Sequence, residues 1–274
     1  MSDKYAVIGN PVAHSSSPLI HAEFARQTGQ DISYATILAP LDGFREAVFA
    51  FRDGGGKGLN ITLPFKHEAW KLVNRHAGYA LAAGAVNTIE FADGWMTGHN
   101  TDGIGLVRDL QDNLKRSIRG ARVLLMGAGG AVYGVMEPLL REQPEQVVVA
   151  NRTPGKAVSL VGRFEKFQSF AVRGIMACSY ENLGRSGFDL VINGTSAGLS
   201  DQMPSLPDAV FTPGALAYDM MYGKTTPFLR FAREHGAHIA DGTGMLVEQA
   251  AESFFIWRGI RPQTAPVIEM LRKA

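Results

Sequence analysis

In the stretch "GLNITLPFKHEAW", Asn60 and Thr62 stand close before Lys66, so two hydrogen-bonding side chains precede a cation by a few residues. In an extended strand alternate side chains share a face, so Leu59 and Ile61 enter a core while Asn60 and Thr62 point the other way. Pro64 halts further pairing and suits a first helical turn, which predicts a helix that opens there and carries Lys66 close to the two polar groups. An ammonium in that place can deliver a proton to an oxygen that gains negative charge. The competing reading is a solvated lysine on an amphipathic helix, because lysine is mostly exposed.

Three further places hold groups of the same usefulness. In "GHNTDGIGL", Asp102 opens a helical stretch, where its charge complements the helix dipole or caps the helix. Asn87 in "GAVNTIEF" reads as a turn or strand-start residue. In "GNPVAHSSSPLIHAEF", Ser17 is expected as an N-cap and Pro18 as the first helical residue, which sets Ser15 and Ser17 at a positive helix end. Such an end seats a small carboxylate through hydroxyls and backbone N–H groups. Capping alone explains the serines equally well. His14 and His21 are given no role.

A different chemistry is written around residue 127. The strand-like "RVLLM" runs into "GAGGAVYG", with Gly127, Ala128, Gly129, Gly130 and Ala131 leading into a helix expected to begin near Ala131. Glycines here let the backbone turn tightly and approach a diphosphate, which is met by N–H groups and the positive end of the helix. The third glycine of G-x-G-x-x-G is replaced by Val132. A second strand, "QVVVA", ends at Asn151, Arg152 and Thr153, with Lys156 one turn on. A carboxylate at this strand end selects NAD, whereas Arg152 can grip a 2′-phosphate, so the residues favour NADP. "NRTPGK" also reads simply as a helix start, with Thr153 as N-cap and Pro154 in the first turn. "FDLVINGTSAGL" brings Asn193, Thr195 and Ser196 to another strand end, where ligands sit in open α/β sheets.

The elements that must hold these groups alternate between short β-rich runs and amphipathic helical segments. That alternation predicts parallel strands joined by crossover helices, an α/β fold. Asp93-Gly94 within "VNTIEFADGWMTGHN" signals a hairpin. The second strand-and-glycine unit starts a new domain near residue 103, with "DGIGLVRDLQDNLK" as a helical hinge. Pro138 inside "VYGVMEPLLRE" predicts a kinked helix.

Bulk properties bound the partners. The 274 residues carry 46% hydrophobic and 19% charged side chains with a net charge of +1, which suits a globular chain handling small molecules and gives no basic patch for nucleic acid. One cysteine, Cys178, excludes an internal disulfide and a cysteine-based metal cluster. No secretory leader and no apolar run near the ~20 residues of a membrane span is present, so a cytoplasmic, unanchored protein is expected.

Taken in order, "GNPVAHSSSP", "GLNITLPFK", "GAVNT", "NTDG", "GAGGA", "NRT", "YDMMYGKTTPFL" and "DGTGMLVEQAA" resemble the shikimate dehydrogenase family nearly end to end. The resemblance implies two domains. Residues 1–102, completed by helices in 245–274, form an α/β substrate-binding domain, and residues 103–244 a Rossmann-type NADP-binding domain. It implies NADPH-dependent, reversible reduction of 3-dehydroshikimate to shikimate in aromatic amino-acid biosynthesis, by a monomer or homodimer with no metal. Ser15 and Ser17 would hold the substrate carboxylate, and Asn60, Thr62, Asn87 and Gln249 the ring hydroxyls. Lys66 and Asp102 would be the catalytic pair. Tyr222 and Met220 would border the nicotinamide and substrate, and Gly244 would lie near the nicotinamide amide. Tyr133, Gly194 and Thr243 depart from residues frequent in the family. Rival readings are a quinate or dual quinate/shikimate dehydrogenase, a non-catalytic NADP-binding sensor, and an amino-acid or folate dehydrogenase on a similar plan. The serine pair gives the last of these no support.

Overall fold

A computed structural model describes residues 2–165, 174–184, 187–195, 197 and 201–273; Ser196 lies outside the described residues. The chain divides into two compact units, Met1–Gly105 with Leu246–Ala274, and Leu106–Met245.

In the first unit the order is β1 (Asp3–Gly9), α1 (Ser17–Thr28), β2 (Ile32–Leu38), α2 (Phe44–Asp53), β3 (Gly56–Ile61), α3 (Lys66–Leu72), β4 (Arg75–His76), α4 (Tyr79–Ala83), β5 (Thr88–Ala92) and β6 (Trp95–His99). Its sheet runs β2-β1-β3-β5-β6-β4. Pairing is parallel from β2 to β3 and antiparallel at β3–β5 and β5–β6, so this sheet is mixed rather than built only from crossovers. The hairpin turn is Asp93 at φ 51° and Gly94 at φ 77°, two positive values that match the right-handed twist of paired strands.

Leu59 and Ile61 enter a core with Phe44, Val48, Phe65 and Ile89, as strand alternation requires. The sequence-based reading errs at two helix starts. Pro64 precedes α3 rather than opening it: the bond Leu63–Pro64 is cis, and Phe65 is the N-cap. At α1 the N-cap is Ser16, one residue earlier than expected, and Ser17 is already helical with Pro18 behind it.

The second unit contains β7 (Arg122–Met126), α6 (Gly130–Arg141), β8 (Gln146–Ala150), α7 (Pro154–Glu165), β9 (Ile175–Cys178), β10 (Phe188–Asn193), β11 (Phe211–Asp219), α8 (Pro227–Glu234) and β12 (His238–Ala240). Among the described residues its pairings are all parallel, in the order β12-β11-β10-β7-β8-β9. Strand order reverses beside β7, the place where doubly wound sheets take ligands at their carboxyl ends. The short, half-buried β9 pairs parallel to β8 at the edge of the sheet. α6 runs through Pro138 without ending there.

Two helices carry the chain between the units: α5 (Asp102–Arg108), continued by a π-helical turn at Asp109–Asn113, and α9 (Thr243–Arg258). After α9 the chain closes with α10 (Ala265–Lys273). Val247, Ala250, Ala251 and Phe254 of α9 and Val267 and Ile268 of α10 pack on Ile20 and Phe24 of α1. Full burial of a side chain of Val, Ile or Phe size contributes roughly 1.5–3 kcal/mol, so these contacts bind the C-terminal helices to the first unit. No described helix is long and apolar enough to cross a membrane.

Candidate active site

Lys66, the first residue of α3, donates from Nζ to Asp102 Oδ2 at 2.5 Å. Their side chains are 19% and 7% exposed, so the pair is shielded from screening by solvent on most sides. Asp102 opens α5, and its N–H is capped by Asn100 Oδ1 at 3.2 Å. Its carboxylate is therefore not spent on the cap. The second oxygen, Oδ1, accepts from Asn87 Nδ2 at 2.8 Å. A lysine, a carboxylate and an amide thus form one hydrogen-bonded chain.

The chain continues inward. Asn87 Oδ1 accepts from the Thr101 N–H at 2.9 Å and from Thr88 Oγ1 at 3.0 Å, while Asn87 Nδ2 also reaches Thr101 Oγ1 and, at 3.3 Å, Gln249 Oε1. Thr88 Oγ1 and Ser253 Oγ accept from Asn60 Nδ2 at 3.1 and 3.0 Å, and Tyr34 donates its hydroxyl to Asn60 Oδ1 at 2.7 Å. Burial pushes the Tyr34 phenol well above its ordinary range, against a side-chain hydrogen bond with Ser17 that lowers it. Tyr34 therefore stays a donor. Asn60 is 5% exposed with both amide protons turned inward, which leaves at most one lone pair on Oδ1 for a further donor.

Among the residues singled out from sequence, the structure joins Lys66, Asp102, Asn87, Gln249 and Asn60 in this network. Lys66 meets Asp102 instead of the Asn60 and Thr62 pair that precedes it. Thr62 lies just past β3, its methyl against Gly9, where any side chain would strike it: an added Cβ falls 2.3 Å from Thr62 Cγ2. Ser15 Oγ accepts from the Ser17 N–H at 3.3 Å, so the first of the serines caps locally. Ser17 is buried. Tyr34, Thr88, Thr101 and Ser253 escaped the sequence reading. Ser253 follows Gln249 by four residues on α9, the spacing that puts two side chains on one helix face, and this was the available signal. His21 is fully buried, its ring nitrogens make no well-formed hydrogen bond among the described residues and are met only weakly by Asn60, and it stacks on Tyr34 at 4.2 Å. Burial pushes it down to about 3, so it serves as a neutral packing ring.

In the second unit the glycine turn has the form a diphosphate needs. Gly127 sits at φ 100°, closed to ordinary side chains. Gly129 is the N-cap of α6 and offers no side-chain cap, and the position of a Cβ on it is open, with nothing within 4 Å. The first turn of a twelve-residue helix thus has no capping side chain, as at helix ends that take anions. Gly130 and Ala131 already belong to the helix, which starts one residue before the expected position. Beyond β8, Asn151 Nδ2 donates to Thr153 O at 2.9 Å, Lys156 N–H to Thr153 O at 3.0 Å, and Arg152 is exposed at the turn. The residues present fit a phosphorylated dinucleotide.

Thr195 donates N–H and Oγ1 to Asn193 Oδ1 at 3.1 and 2.8 Å. Met220 and Tyr222 follow β11, Tyr222 being 41% exposed. Gly244 packs against the carboxylate of Asp109, and a Cβ there would overlap it. Thr243 bonds Asp241 through N–H and Oγ1 at 3.2 and 3.0 Å.

Two departures noted in the sequence prove to be one packing arrangement. A Cβ on Gly194 would lie 2.5 Å from Cγ2 of Val132, the residue occupying the third glycine position. The space that the helix fails to leave is left by the strand-end loop instead. Gly194→Ala is expected to destabilise the protein by roughly 1–3 kcal/mol through overpacking, and Val132→Ala in the same chain to restore a good part of it. Denaturant unfolding of the two single variants and the double tests this; strictly additive losses would show that the two sites do not share the space.

Comparison with known proteins gives concordant matches along the chain. The family model described as shikimate dehydrogenase substrate binding domain matches residues 7–89, that described as shikimate / quinate 5-dehydrogenase matches 109–198, and that described as shikimate 5'-dehydrogenase C-terminal domain matches 242–272. A curated relative from Nitrosospira multiformis, named shikimate dehydrogenase (NADP(+)), is 59% identical over 277 residues, covering 100% of this chain and 98% of its own. Among solved structures, an Ael1 enzyme from Pseudomonas putida superposes with a TM-score of 0.92 at 49% identity, covering 98% of both chains. Shikimate 5-dehydrogenase from Thermus thermophilus, in complex with NADP(H) and shikimate, superposes with a TM-score of 0.87 at 32% identity, covering 99% of both.

Proposed function

Because the chain belongs to the shikimate dehydrogenase family, we propose that residues 1–102 with 245–274 bind the substrate, that residues 103–244 bind NADP, and that Lys66 and Asp102 are the catalytic pair. The protein is an NADP-dependent oxidoreductase that reversibly reduces 3-dehydroshikimate to shikimate, a step of aromatic amino-acid biosynthesis. The observation that carries the assignment of roles is the chain Lys66–Asp102–Asn87, which holds an ammonium by its carboxylate partner and holds that carboxylate by its other oxygen.

NADPH supplies the hydride that converts the ketone to an alcohol. Lys66 supplies the proton to the oxygen as it takes up charge. Its ammonium has three N–H donors, and the one given to Asp102 orients the others. In the oxidation direction the same nitrogen, as the amine, accepts the hydroxyl proton. Asp102 stabilises the ammonium formed there, and Asn87 keeps the carboxylate from rotating away. Ser15 and Ser17 at the start of α1 take the substrate carboxylate. Ring hydroxyls are met by Thr62, Gln249, Asn87 and the remaining lone pair of Asn60; in the other unit Tyr222 stands at the nicotinamide end. Gly127, Ala128, Gly129, Gly130 and Ala131 take the diphosphate, Asn151, Arg152, Thr153 and Lys156 the phosphorylated ribose, and Thr195, Met220 and Gly244 the nicotinamide end.

The family description spans quinate as well as shikimate, so substrate choice is the deciding measurement. Initial rates of NADP reduction are compared for shikimate, quinate and a small panel of hydroxy acids. The highest kcat/KM is expected for shikimate. Equal or faster turnover of quinate makes the enzyme a dual or quinate dehydrogenase, and NADPH binding without turnover of any acid makes it a sensor.

A further inference from the structure

Asp219, the last residue of β11, is fully buried, and its carboxylate is surrounded by donors from three directions. Oδ2 accepts from Asn193 Nδ2 at 3.1 Å and from Thr226 Oγ1 at 2.6 Å, and Oδ1 accepts from the Met221 N–H at 3.0 Å. Each donor belongs to a different piece of chain. Asn193 ends the neighbouring strand β10 and uses its own Oδ1 to hold both the N–H and the hydroxyl of Thr195. Met221 lies in the turn that carries Met220 and Tyr222. Thr226 caps α8, its hydroxyl oxygen accepting from Leu229 N–H at 3.3 Å. The two turns are joined once more by the Met220 N–H, which donates to Asn193 O at 2.9 Å.

Both turns emerge at the carboxyl ends of adjacent parallel strands, where dinucleotides bind. We infer that Asp219 is a positioning residue for NADP: its carboxylate locks the Asn193–Thr195 turn and the Met220–Tyr222 turn into one preformed edge. A buried carboxylate with three donors is costly to build and hard to replace, because an amide offers one acceptor oxygen and turns N–H groups toward the remaining donors. The same carboxylate makes no use of its charge toward solvent. Holding two ligand-bearing turns together is what its geometry does, and preformed contacts spare the dinucleotide the cost of ordering them.

The inference rests on the assignment of NADP to this unit, and the test separates the two. NADPH binding is followed by fluorescence titration and, independently, KM for NADP is measured with shikimate. Asp219→Asn is expected to weaken NADPH binding and raise KM for NADP tenfold or more. The exchanged pair, Asn193→Asp with Asp219→Asn, rebuilds an amide–carboxylate bond across the two strand ends and is expected to return both quantities to within about threefold of the parent. A buried group that merely supports the fold would show no such rescue. Asn193→Ala, which removes the arm to Thr195 and leaves the carboxylate its Met221 and Thr226 donors, supplies the answer should Asp219→Asn fail to fold: it too should weaken NADPH binding, in a protein that still folds with a lowered melting temperature. Parent-like NADPH binding in Asp219→Asn or in Asn193→Ala, or an exchanged pair no better than Asp219→Asn alone, overturns the inference. A parent protein that binds NADPH and oxidises no shikimate would instead overturn the functional reading and leave the titration result standing.

Discussion

Lys66→Ala is expected to lower turnover by about 10² to 10⁴, the reach of general acid–base catalysis, with a much smaller change in KM for shikimate. Nothing in the serine seat or the amide network is removed by the change. Asp102→Asn should lower turnover as well, for a reason visible in the hydrogen bonds: Lys66 Nζ and Asn87 Nδ2 both donate to this carboxylate, and an amide can accept from only one of them through its oxygen. The other donor then faces an N–H group. Residues acting as a unit are strongly non-additive, so the double variant should be little slower than the poorer single one. Steady-state kinetics on the three variants measures this. Multiplicative losses would mean that the lysine and the aspartate act separately, and normal turnover in Lys66→Ala would remove the lysine from the chemistry.

The second large effect is on cofactor choice. Arg152 is exposed at the turn after β8, so its replacement should leave fold stability within about ±0.5 kcal/mol. A charged hydrogen bond is worth roughly 1.5–3 kcal/mol, and its loss in Arg152→Ala should raise KM for NADP by about tenfold to 150-fold. KM for NAD should barely move, since the missing guanidinium addresses a phosphate that NAD lacks. Parallel titrations with both cofactors decide the matter. An equal loss for the two would assign Arg152 to shaping the turn.

How much of this molecule is written locally can be judged residue by residue. Strand alternation placed Leu59 and Ile61 in the core, and Asp93-Gly94 formed the hairpin, because both signals depend on backbone preferences of neighbouring residues. The glycine run between β7 and α6 was equally legible: positive φ at Gly127 is a local demand that few other residues meet. Helix starts were legible to within a residue or two, since neither Ser16 nor Phe65, the residues at the two N-caps, makes a side-chain capping bond that would pin the start.

Partnership was decided elsewhere. Residue types and order in the sequence determined that there is a lysine, an aspartate, an amide set and a glycine turn of the kind an NADP-dependent dehydrogenase uses. Only the tertiary structure decided that Asn60 spends both amide protons on Thr88 and Ser253, the latter 193 residues away, and that Asn87 holds the second oxygen of Asp102. It alone showed Gly194 making room for Val132, and Asp219 joining the ends of β10 and β11. The physical reason is the same in each case. Propensity and periodicity act over a turn or a strand, whereas a buried polar atom must find a partner wherever the packed chain brings one, and sequence distance does not enter that requirement.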